Sequence, residues 1–92
     1  GPAYGAMFIE ALADAAVLYG LPRELSYALA SQMLAGTGKM QVETKTHPGA
    51  MKDAVCSPGG ITIKGVAELE RKGFRGAVID AVKASVEKSE NM

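Results

Sequence analysis

Residues 57–62 read Ser-Pro-Gly-Gly-Ile-Thr, and of all the stretches in this 92-residue chain they are the best suited to hold a ligand. Serine is favoured just before a helix and proline at its first position, so Ser57 and Pro58 are expected to open one. The amides of Gly59, Gly60 and Ile61 would then have no partner inside the helix. They would point along its axis at the positive end of the dipole, and the glycines would keep side chains away from whatever sits there. That arrangement suits a small anion, either carboxylate or phosphate. Thr62 would raise its hydroxyl on the same side as Pro58, about one turn in. The plain alternative is a capped helix start with a threonine behind it.

Other chemistry-bearing residues are weaker candidates. Glu10 and Asp14 lie at i, i+4, the spacing of an acid–base or metal-binding carboxylate pair. No His or Cys joins them at ligand spacing, so a solvated stripe or a set of partners for lysines fits them better, and no metal is expected. His47 precedes Pro48 in a loop and reads as a helix-start or surface residue. Cys56 adjoins the glycines, but a cysteine nucleophile needs a base, and His47 is the sole histidine. The lysines and arginines are scattered among acids, which describes a solvated surface.

An all-α bundle of about five helices must position these residues. Segment one runs from about Ala3 to Tyr19, with Phe8, Leu12, Ala15, Ala16 and Tyr19 on one face and Met7, Ala11 and Leu18 widening it. Gly20 stops it. Segment two opens at "LPREL", where Pro22 fits the first turn, and keeps helical spacing through Leu25, Leu29, Met33 and Met40 to about Thr44. Gly36 and Gly38 interrupt it, marking either close approach by another helix or a bend. Segment three runs from Pro48 to about Val55. Segment four runs from near Pro58 to about Lys72, with Ile61, Val66 and Leu69 as its stripe and Gly73 as its stop. Segment five runs from Phe74 to about Ser89 with Val78, Ile79, Val82 and Val86 as its stripe, and the closing "SENM" should fray. "GITIKGV" alternates too briefly to be a strand.

Composition narrows the function. Ten basic and ten acidic residues cancel, whereas a nucleic-acid binder carries a basic surplus, so none is expected as a partner. A single cysteine permits no intrachain disulfide, which points to a reducing, cytoplasmic setting. The apolar run "AYGAMFIEALADAAVLYG" carries Glu10 and Asp14 and lacks a basic start, so neither a membrane span nor a signal peptide is expected. The chain begins with Gly rather than Met, as a fragment or processed form would. Segment one is apolar over most of its circumference, more than four other helices can enclose, and a homodimer would cover it.

"GPAY" at the start, "EALADAAVLYGLPRELSYALASQ" and "HPGAMKDAVCSPGGITIKGVAELERKGFRGAVIDAV" together resemble the C-terminal domain of the pyrroline-5-carboxylate reductases. The most specific parts are HPG-x-x-K-D-x-V-x-S-P-G-G-x-T-I and L-E-x-x-G-F-R, and the resemblance spans essentially the whole chain. The family has Gly-Pro-Ala-Tyr at this place, so Gly1-Pro2 fits a native start as well as a tag scar. The resemblance implies an enzyme that reduces 1-pyrroline-5-carboxylate to L-proline with NADPH or NADH, whose N-terminal Rossmann domain is missing here. Residues 1–92 would be the helical domain that forms an intertwined homodimer, or a higher oligomer built from it, and the floor of the substrate site. No cofactor would bind this piece alone, and alone it would be inactive. Ser57 and the amides around Gly60 and Ile61, beside Gly59, would hold the substrate carboxylate. The Thr62 hydroxyl would face the ring nitrogen, and Val55 would pack near the ring. Cys56 stands where the family has Ser or Thr, and Ile61 where a small residue or Thr is common. The rival functions are a helical module that only dimerises, with the glycine loop as a cap, and a stand-alone binder of small anions.

Overall fold

The computed structural model describes residues 1–90, and their order is α1 (Pro2–Leu18), α2 (Arg23–Thr44), α3 (Pro48–Ala54), α4 (Ile61–Arg71) and α5 (Phe74–Glu90). Proline at the first helical position opens α1 and α3, and a glycine at positive φ follows the ends of α1 and α4. No strand occurs among the described residues. The fold is all-α, as the spacing predicts. Of the residues expected to fray, Ser89 and Glu90 are helical, and Asn91 and Met92 lie outside the described residues.

The first unit covers Gly1–Pro48 and is a hairpin of α1 on α2. Gly20, at φ +101°, closes α1: its N–H donates to Val17 O at 2.9 Å, and the Leu21 N–H reaches Ala16 O at 3.0 Å. These bonds satisfy carbonyls the helix end would leave orphaned, in the pattern of a glycine C-cap. The cap falls one residue earlier than the apolar face suggests, so Tyr19 lies outside the helix and is exposed. The face that packs is Phe8, Ile9, Leu12, Ala13, Ala16 and Val17, while Ala15 turns outward.

Opposite it, α2 presents Ser26, Ala30 and Leu34 at i, i+4, i+8. Ala13 and Ser26 are 0% and 1% exposed, so small side chains set the seam where the helices meet. Ser26 can be buried because its hydroxyl donates to Pro22 O at 2.8 Å. Asp14 accepts from Arg23 across the hairpin corner, which raises the guanidinium's pKa above its ordinary value. The Asp14 carboxylate of the Glu10/Asp14 pair is thereby drawn into a surface ion pair.

The leucine stripe of α2 takes no part in this seam. Leu25, Leu29, Met33 and Met40 stay exposed. The helix runs unbroken through Gly36 and Gly38, and a Cβ at either would meet nothing within 4 Å. Within the chain, nothing closes on these glycines.

The second unit, Gly49–Met92, carries α3 beyond its first residue, then α4 and α5. Gly73, at φ +77°, breaks α4 from α5. Around that corner Arg75 Nε donates to Glu70 Oε1 at 2.9 Å, and Arg71 forks onto the Glu68 carboxylate, which raises the Arg71 pKa. Lys52, Val66, Leu69, Glu70, Phe74 and Arg75 line a shallow cleft of about 290 Å³. Along α5, Val78, Ile79, Val82 and Val86 are all exposed. No helix among the described residues is long and apolar enough to cross a membrane.

Candidate functional site

Helix α4 begins at Ile61, three residues later than Ser57-Pro58 suggests. Ser57 is therefore not the cap, and Pro58 is not the first helical residue. The reason lies in the next two residues. Gly59 sits at φ +69°, a conformation no helix start uses, and the Gly60 N–H donates to Ser57 O at 3.1 Å. Proline followed by a residue at positive φ, closed by that bond, is the signature of a type II turn. Ser-Pro serves a turn and a helix start equally well, and Pro-Gly decides for the turn.

Gly60 becomes the N-cap, with φ −79° and ψ 178°, and as a glycine it offers the helix start no side-chain cap bond. The donors open to a ligand thus shift along the chain. Gly60 spends its amide on the turn, and the first-turn amides of Ile61, Thr62 and Ile63 are the ones without helical partners. They stand at the positive end of an eleven-residue helix. Thr62 and Ile63 as amide donors escape the sequence reading, because they are found only once the helix start is fixed at Gly60.

The turn brings two of the expected residues together. Ser57 Oγ lies close over Gly60, so that a Cβ built there would collide with it. Thr62, expected one turn in, stands at the second helical position, and its side chain is exposed. Two apolar residues flank the turn, with Val55 66% exposed and Ile61 90% exposed. Cys56 between them is a half-buried free thiol. None of these residues lines the cleft at the α4–α5 corner. His47 is exposed in the loop before α3, and no group of three or more His, Cys, Asp or Glu fit for a metal occurs among the described residues.

Fold and turn together define a small all-α association domain, with an uncapped helix start beside a serine hydroxyl and with apolar faces that its own chain leaves bare. The family described as pyrroline-5-carboxylate reductase dimerisation matches residues 1–92. The chain belongs to that family. It is 59% identical over 91 residues to the pyrroline-5-carboxylate reductase of Escherichia coli, covering 99% of this chain and 34% of that protein. It is 53% identical over its full length to the enzyme of the same name from Synechocystis, again 34% of that protein. Among solved structures, the Plasmodium falciparum pyrroline carboxylate reductase with NADP bound shares 45% identity at a TM-score of 0.93, over 97% of this chain and 34% of that one. The Streptococcus pyogenes reductase shares 36% identity at a TM-score of 0.96, over 99% of this chain and 35% of that one. The chain thus spans about a third of the length of these relatives.

Proposed function

We propose that residues 1–92 are the C-terminal dimerisation and substrate-binding domain of an enzyme that reduces 1-pyrroline-5-carboxylate to L-proline. The observation that carries the substrate role is the uncapped start of α4 with Ser57 Oγ beside it. The amides of Ile61, Thr62 and Ile63 and the Ser57 hydroxyl form a donor set of the size and sign a carboxylate needs. Gly59 and Gly60 serve by leaving the backbone bare. Thr62 offers its hydroxyl beside the same donors, where it orients the ring nitrogen once the carboxylate is held. Val55 and Ile61 give the ring an apolar wall. Gly60 as the N-cap also fits a plain helix start. What supports the substrate site over the module that merely dimerises is the Ser57 hydroxyl beside the bare first turn.

The cofactor is NADPH or NADH, and the NADP bound by the Plasmodium falciparum reductase supports a dinucleotide. This chain's residues do not fit a dinucleotide site. Such sites need a glycine fingerprint between a strand and a helix, and the described residues form no strand. The cofactor domain therefore belongs to the rest of the enzyme, and the share of residues 1–92 is to hold and orient the substrate. Two copies associate through the bare apolar faces, and the single free Cys56 suits a reducing, cytoplasmic setting.

Replacing Thr62 by Ala in the full-length enzyme tests the reading. Loss of one positioning hydrogen bond should lower kcat/KM roughly tenfold or more while the dimer persists. Turnover at the wild-type level would remove Thr62 from the site.

A further inference from the structure

The two adjacent glycines of the turn are required for different reasons. Gly59 is held at φ +69°, where an L side chain is strained. Gly60 has φ −79° and ψ 178°, extended backbone that any residue adopts. Conformation places no demand for glycine at position 60, but space does. A Cβ there would collide with Ser57 Oγ, and it would also lie 3.3 Å from Ser57 O and 3.7 Å from Ser57 Cβ. The Ser57 hydroxyl occupies the volume that a side chain at position 60 would fill, and that volume borders the uncapped first turn of α4.

We propose that Gly60 is a positioning residue that acts through Ser57: its missing side chain lets the Ser57 hydroxyl stand at the start of α4. The inference rests on the carboxylate site proposed above and assigns Gly60 a role other than amide donor, since its N–H is already given to Ser57 O. A methyl at position 60 evicts the hydroxyl without breaking the turn. Serine is short and Ser57 is exposed, so its side chain can rotate to another staggered well. The fold survives, and the carboxylate loses a donor.

The test is a double-mutant cycle in the full-length reductase with Ser57→Ala, Gly60→Ala and the pair, measuring KM for 1-pyrroline-5-carboxylate, kcat and thermal melting. Each single variant should raise KM roughly tenfold, the worth of one hydrogen bond to a charged group. The pair should have a KM close to that of Ser57→Ala alone, because once the hydroxyl is gone no donor remains to displace. Most of any loss of melting temperature in Gly60→Ala should be restored in the pair, since the hard collision is with Oγ and only the 3.3 Å approach to Ser57 O stays. Two results overturn the proposal while leaving the carboxylate site standing: Gly60→Ala with wild-type KM beside an impaired Ser57→Ala, or a pair whose effect is the product of the singles. A silent Ser57→Ala removes Ser57 from the carboxylate site and the role of Gly60 with it.

Discussion

Diluting the 92-residue chain should unfold it. Among the described residues only Ala13, Ser26 and Ala30 are buried, two alanines and a serine, which is far too little to offset the conformational entropy of a chain this long. Folding and association are then one reaction, and the melting temperature must depend on concentration. At about 0.7 kcal/mol per residue, two chains unfold with an enthalpy of roughly 130 kcal/mol near 60 °C. Mass action then moves Tm by about 4 °C for each tenfold change in concentration. Melts followed by circular dichroism from about 1 to about 100 μM, with sedimentation at the same concentrations, measure this directly. A Tm constant within about 1 °C over that range, together with a monomeric mass, would refute the argument that burial across the two-fold holds the fold together.

Three further outcomes follow from single positions. Val82 is exposed in the chain, where a substitution ordinarily changes stability by no more than about 0.5 kcal/mol; Val82→Asp should instead cost several kcal/mol and dissociate the dimer, as sedimentation would show. Gly59→Ala forces a side chain to φ +69° and should destabilise the dimer by about 1–2 kcal/mol, seen as a lower Tm, while raising KM in the full enzyme. Lys45 ends α2 in the left-handed conformation at φ 57°, so Lys45→Gly should leave turnover alone and stabilise by up to about 1 kcal/mol, read from chemical denaturation.

The sequence shows where helices stop more clearly than what they pack against. Gly20 and Gly73 both end helices at positive φ, as their positions after the last apolar residue predict. The seam of the first hairpin is less legible. Leu25, Leu29 and Met33 form the most apolar stripe of α2, yet the chain packs on the adjacent line of Ser26, Ala30 and Leu34. Apolarity marks a surface that must be covered, without saying by which copy. Small residues at i, i+4 mark where two helices of one hairpin come close. On the proposed dimer the leucines are left for a partner, and a partner is invisible to a reading that fills one chain at a time.

The turn and its helix start are legible in the sequence as neighbours, and their geometry is not. Ser57 and Gly60 do come together, but the helix that follows them starts at Ile61. A shift of three residues changes what each one can do. With Pro58 as the first helical residue, Thr62 would sit a full turn deep with its amide already bonded. With Gly60 as the cap, Thr62 is the second helical residue, so its amide and its hydroxyl both stand at the open end. One residue can then contact the carboxylate through its backbone and the ring nitrogen through its side chain, fixing both ends of a small cyclic substrate. Thr62→Ala removes only the second contact. On the proposed reading its main effect therefore falls on kcat, whereas Ser57→Ala, which touches the carboxylate alone, acts on KM. That split separates orientation from affinity within six residues of chain.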